Sequence, residues 1–174
     1  MCSSDLSGTT PDSTANLSYA GTLWYGANVV MSNSSQTYIV PIGSSSLSSS
    51  DIVVDGNNSI IISKAKTYIL SYSIQYENTG QFQEDIYVWL VQNGQNQADS
   101  GGVYTIPARK NPQITGKLIA TSPIMFTAQA GDSVQVKTSC PTGNTVSMVT
   151  YPATNNAISI PRTPAIIINI TEAS

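Results

Sequence analysis

The sequence predicts an all-β chain, a sandwich or barrel of short antiparallel strands. Two observations carry this. Short runs rich in β-branched and aromatic residues recur between turns made of Gly, Pro, Asn and Ser. No window long enough for a helix shows apolar residues at three-to-four spacing. At 174 residues the chain fits one domain with an extension, and it is long enough to bury a core.

Residues 1–20 are small and polar, with Pro11 and no apolar periodicity. Such a segment stays disordered alone and gains order against a neighbour. The chain therefore divides into a polar N-terminal arm, 1–20, and a β domain, 21–174. In the domain, "TLWYGANVV" reads as a first strand and "QTYIVPI" as a second, and the Ser-rich "GSSSLSSS" as a loop. "DIVVDGNNSIII" has two β-branched runs around Asp55-Gly56-Asn57-Asn58, a hairpin signal. "TYILSYSIQYE" alternates with period two. Tyr68, Leu70, Tyr72, Ile74 and Tyr76 share one face, and Ile69, Ser71, Ser73, Gln75 and Glu77 share the other.

After the loop "NTGQFQ", the strand "IYVWLVQ" is apolar or aromatic on both faces and ends at the Asn93-Gly94 turn. "GGVYTI" and "QITGKLIATS" read as strands separated by "PARKNP". "PIMFTAQAGDSVQVKTS" reads as a strand, a Gly-Asp turn and another strand, and "PTGNTVSMVTYPATNN" has no clear assignment. "AISIP" and "AIIINITEA" close the chain as strands.

Charged residues make up 10% of the chain, against a usual share of about 25%. Seven scattered Lys and Arg and a net charge of -3 leave no basic patch. Nucleic acid and anionic membrane surfaces are therefore not expected partners. No apolar run approaches the roughly 18 residues that span a bilayer. The N-terminus has neither a basic n-region nor an apolar h-region, so any exit from a cell is expected without a Sec signal, as by release inside a particle. Cys2 and Cys140 are expected as free thiols; the alternative is a disulfide tying the arm to a loop.

There is no histidine, which removes the usual general base and the commonest metal ligand. Phosphate-cradling loops, nucleophile elbows and paired-cysteine motifs are also missing. A non-enzyme with no cofactor and no metal is expected. Glu77 and Glu84 flank one loop, so a carboxylate pair for glycoside hydrolysis is the remaining catalytic alternative; solvated strand-end charges explain them more simply. Glu84 and Asp85 are adjacent and would face opposite ways. Asp51, Asp55, Asn57 and Asn58 offer oxygens to a hard cation, but a hairpin turn already accounts for them. Sequons at Asn16, Asn33, Asn57 and Asn169 arise readily in so Asn-, Ser- and Thr-rich a chain.

The order of these pieces resembles the jelly-roll family of complement globular heads and tumour-necrosis-factor-like domains. The resemblance runs from "SIIISKAKTYILSYSIQYE" through "IYVWLVQNGQNQADS" to "FTAQAGDSVQV", with the tip Asn93-Gly94, Ser100 soon after it, and the turn Gly131-Asp132. Residues up to Ser50 lie outside it, and Gln129-Ala130 replaces the aliphatic residue usual before that turn. "VWLVQNGQNQADS" and "IPRTPAIIINITEA" are similar to segments of tailed-phage structural proteins. The resemblance implies an antiparallel jelly-roll sandwich assembling as a homotrimer.

On this reading the chain is a capsid-surface decoration, vertex or short-fibre subunit, assembled in the host cytoplasm and carried on the particle surface. Its arm, residues 1–20, would dock on other virion proteins. Tyr68, Tyr72, Tyr76, Tyr87 and Trp89 are the expected subunit interface, with the tyrosine stripe serving as core as well. The alternative is a head domain binding a host glycan or receptor, through a loop exposing Gln92, Asn93, Gln95 and Asn96.

Overall fold

A computed structural model describes residues 18–155 and 158–173. Its strands are β1 (Ser18–Tyr25), β2 (Val29–Met31), β3 (Tyr38–Ile39), β4 (Ser44–Leu47), β5 (Ile52–Val54), β6 (Ile60–Ile62), β7 (Lys66–Asn78) and β8 (Glu84–Gln92). There follow β9 (Gln95–Asn96), β10 (Gly102–Ile106), β11 (Gly116–Ala128), β12 (Ser133–Ser139), β13 (Val146–Met148), β14 (Thr154–Asn155), β15 (Ser159–Ile160) and β16 (Ile166–Ala173). The described residues contain no helix.

Two antiparallel sheets pack face to face. The first runs β4-β1-β16-β7-β11. β16 covers one edge of β7 from Thr67 to Ile74, and β13, with β2 beyond it, continues along that edge from Tyr76 to Asn78. The second runs β10-β8-β12, with β6 and β3 sharing the far edge of β12 and β5 outside β6. From β6 on, the chain crosses repeatedly between the sheets, giving jelly-roll-like connectivity.

The alternation in β7 is the clearest link from sequence to packing. Every second residue from Tyr68 to Asn78 is buried, and every second one from Ile69 to Glu77 is partly open. Ile86, Val88 and Leu90 from β8 and Val134 and Val136 from β12 meet that face, and Ile166, Ile168 and Ile170 from the neighbouring β16 extend it. Each such side chain contributes about 1.5–3 kcal/mol of transfer free energy.

Three tyrosines lie at 0–1% exposure, so each hydroxyl needs an internal partner. Tyr68 donates to the Lys64 carbonyl at 2.8 Å, Tyr72 shares a 2.9 Å hydrogen bond with Tyr104, and Tyr76 donates to Thr138 Oγ1 at 2.9 Å. The Tyr68 ring stacks on Phe126 at 5.8 Å.

Four expectations change. The Ser-rich segment is not all loop: Ser44–Leu47 is an edge strand paired with β1, because ladder hydrogen bonds do not require apolar side chains. "TLWYGANVV" breaks at Gly26–Asn28 into β1 and β2. The two strands expected around Pro123 are one strand, β11. Thr121 and Thr127 there turn their carbonyls away from β7, to the Tyr104 hydroxyl at 3.1 Å and Gln92 Nε2 at 3.2 Å. Pro123 has the same parity, so its missing N–H falls on the free edge, where a proline is tolerated. Lastly, of the expected arm, residues 1–17 lie outside the described residues, while Ser18 to Ala20 already belong to β1. The Cys2–Cys140 question also falls outside them; Cys140 is buried.

A small charge cluster closes one end. Lys66 Nζ hydrogen-bonds Glu172 and reaches Asp51 at 3.2 Å, while Ser49 donates to Glu172 at 2.9 Å. Glu172, then Asp51, raise the Lys66 ammonium well above its ordinary value. Since the folded value is raised, the stability this group contributes is complete below pH 10.5 and is lost as pH climbs through the raised value.

Burial likewise raises the phenols of Tyr68, Tyr72 and Tyr76 above the ordinary value of 10.0. Above that pH the unfolded chain sheds protons that the folded chain keeps, so stability falls as pH rises. Ultraviolet titration should divide the nine tyrosines into a class that ionises reversibly and one, containing these three, that ionises only on unfolding. In urea melts, Tyr76→Phe should cost about 1–2 kcal/mol by stranding the Thr138 hydroxyl, and adding Thr138→Val should recover most of it.

Candidate functional site

The Asn-Gly tip after β8 is built as a clamp. Asn93 and Gly94 have φ of 51° and 78°, the left-handed pair that a two-residue hairpin requires. Asp132, in the turn before β12, accepts hydrogen bonds from Asn93 Nδ2 at 2.7 Å, Gln92 Nε2 at 2.7 Å and the Gln129 N–H at 2.8 Å. Asn93 Oδ1 accepts in return from the Ser133 N–H at 2.9 Å. The amide-rich string is then folded back onto β8. The buried Ser100 hydroxyl donates to the Gln97 carbonyl at 2.8 Å and accepts from the Leu90 N–H at 3.0 Å. The spacing from Asn93-Gly94 to Ser100 thus reflects a loop tied at both ends.

This divides the expected ligand loop. Gln92 and Asn93 spend their amides on the clamp, and Asn96 accepts from the Trp89 indole N–H at 2.8 Å, while Gln95 is exposed. A loop of four free amides is not what the fold presents.

The expected interface residues also part company. Tyr68, Tyr72 and Tyr76 lie between the sheets with no surface for a sister subunit, because their rings fill the core and their hydroxyls are bonded internally. Tyr87 and Trp89, of opposite parity to the core residues Ile86, Val88 and Leu90, project from the outer face of the second sheet. A single patch containing all five does not exist in the folded chain.

Two outer faces remain. On the first sheet, the register lays Ser44, Trp24, Ile167, Ser73 and Thr121 in one row across five strands. Ser46, Thr22, Asn169, Ser71 and Pro123 form the next row, and Thr171, Ile69 and Met125 another. None of these is charged; Arg162 borders the face beside Trp24 and Ile167, and Glu77 lies opposite Lys117 at the end of the β7–β11 ladder. Met125 is 70% exposed and Ile119 is 56% exposed. On the second sheet, Tyr87 lies between Val103 of β10 and Ser139 of β12, and Trp89 lies beside Lys137. The odd-numbered half of the β7 alternation was legible in sequence, but the residues flanking it from β1, β11 and β16 were not.

The catalytic alternative loses its geometry. Glu77 points out from the first sheet and accepts from the Thr115 hydroxyl, whereas Glu84 points inward from the second and accepts from Thr142 at 2.7 Å. In the hairpin considered for a cation, Asp51 is taken by Lys66, Asp55 accepts from the N–H groups of Asn57 and Ser59, and Asn58 Oδ1 accepts from the Ile42 N–H. Among the described residues no cluster of three or more metal-ligating side chains forms.

No protein-family model matches the chain, and no curated protein matches it in sequence.

Hydrogen bonds, that from Asn93 first, hold the Asp132 carboxyl below its ordinary value. Because the folded value is depressed, its contribution is present above about pH 4 and is lost as pH falls. Asp132→Asn should lower the melting temperature at neutral pH and flatten its acid dependence relative to the parent chain. Hydrogen exchange at Gly94 and Gln95 should quicken in that variant.

Proposed function

We propose that the chain is a non-enzymatic structural subunit of a virus particle, working as a homotrimer whose copies meet through the outer face of the first sheet. The observation that carries this is the run of uncharged strand residues from Trp24 across Ile167, Ser73 and Ile69 to Met125, with Arg162 at its margin beside Trp24. The core of a protein interface is depleted of charge, and small hydroxyl-bearing residues let flat sheet surfaces approach closely. A sheet face with Ile119 and Met125 open to water is costly to leave unpartnered. The resemblance of "VWLVQNGQNQADS" and "IPRTPAIIINITEA" to tailed-phage structural proteins supports the virion setting. Residues 1–20, polar and without apolar periodicity, suit an arm that docks on neighbouring virion proteins.

The interface expected from the sequence moves accordingly. The tyrosines of β7 build the core, and the residues on the other side of the same strand take the assembly role. The second sheet, with Tyr87 and Trp89, then faces away from the sister copies.

The native mass in solution tests this reading. The parent chain should sediment as a trimer. Ile69→Lys, which places a charge in the middle of the face without touching the core, should shift it to monomer with a normal β-sheet circular dichroism spectrum. A stable parent monomer that also fails to bind particles would sink the proposal.

A further inference from the structure

The opposite face of the sandwich holds a groove of about 520 Å³, floored by Tyr87 and Trp89 and rimmed by Asn96, Gln97, Val103 and Ser139. That volume falls in the range of small-ligand sites. A groove of about 560 Å³ around Trp24 is comparable in size, but it belongs to the assembly face.

Three features separate the Tyr87–Trp89 groove from ordinary surface. Two aromatic rings stand two residues apart on one rigid central strand, Tyr87 with 40% exposure and Trp89 partly open. The indole N–H is bound by Asn96 Oδ1 at 2.8 Å, which sets the ring orientation and leaves the Asn96 amide hydrogens free to donate outward. The third feature is Gly101. A Cβ there would meet Trp89 Cβ at 3.8 Å, an ordinary contact, and its φ is not positive, so neither packing nor backbone geometry demands glycine. What the missing side chain does is leave open the part of the groove that Gly101 lines beside Trp89. By contrast, a Cβ on neighbouring Gly102 would press on the Tyr104 ring at 2.9 Å, which accounts for that glycine structurally.

No charged side chain lines the groove; Lys137, cross-strand from Trp89, lies outside the lining. We infer that this groove is a binding site for a neutral oligosaccharide, whose pyranose faces stack on Tyr87 and Trp89 while its hydroxyls pair with Asn96, Gln97 and Ser139. Apolar ring faces with hydroxyl edges match aromatic floors with an amide and hydroxyl rim, and a charged sugar would find no counter-charge in the lining. The site lies across the sandwich from the assembly face and does not depend on the trimer.

Saturation-transfer NMR on the full chain, with maltotriose, cellotriose and chitotriose as probes and sialyllactose as the charged control, tests the inference. At least one neutral probe should show saturable transfer at millimolar concentration, with a weaker response from sialyllactose. Gly101→Leu, which fills the groove, and Tyr87→Ala, which removes half its floor, should each weaken binding about tenfold or more. Melting temperature and native mass should stay unchanged in both variants. Absence of saturable transfer from all three neutral probes overturns the inference, as does binding that survives Gly101→Leu. Loss of the native assembly in either variant also overturns it, because the face would then be an interface between copies.

Discussion

A single long strand organises this molecule, and the constraint it obeys is that one of its faces must be completely dry. β7 pairs along its whole length with β11, and its other edge is shared by β16 and β13. Its inner face carries three tyrosines among Leu70 and Ile74, and two of them, Tyr72 and Tyr76, reach hydroxyls on the second sheet. Burying a phenol is favourable only if its hydroxyl finds a partner. Tyr104 and Thr138 supply those partners from the second sheet, and the Lys64 carbonyl supplies one from the link into β7.

Polar residues at the sandwich ends serve the same constraint. Buried Asn78, last in β7, donates to the Phe82 and Pro107 carbonyls and accepts from the Gly80 N–H and the Thr145 hydroxyl, drawing three loops together. Asp132 does the corresponding work for the Asn-Gly tip, and Lys66 with Glu172 for the C-terminal strand. A chain with 10% charge holds its ends mainly with amides and hydroxyls, and no buried side-chain polar atom among the described residues lacks a partner.

The two outer faces differ in chemistry because the strands beneath them differ. The first sheet presents a wide, shallow field of Ile, Met, Pro, Thr and Ser, suited to another flat surface. The second presents two rings in a groove bordered by a loop that Ser100 holds against β8. In the proposed function, assembly on one face would not compete with ligand binding on the other.

The sequence by itself determined the all-β class, the Asp55–Asn58 hairpin, the Asn93-Gly94 turn and the buried parity of β7. These are local: a period of two and a turn residue that tolerates positive φ are visible in a few adjacent letters. Only the tertiary structure decided what each outer face would become. The sequence cannot separate a tyrosine packed against another sheet from one packed against another subunit, since both call for the same apolar ring with a satisfied hydroxyl. Nor does it show that Ser44–Leu47 would be a strand, that Pro123 would fall on a free edge, or that Gly101 would line a groove beside Trp89. Each of those depends on which strand comes to lie alongside, and that is fixed by pairings between residues far apart in the chain.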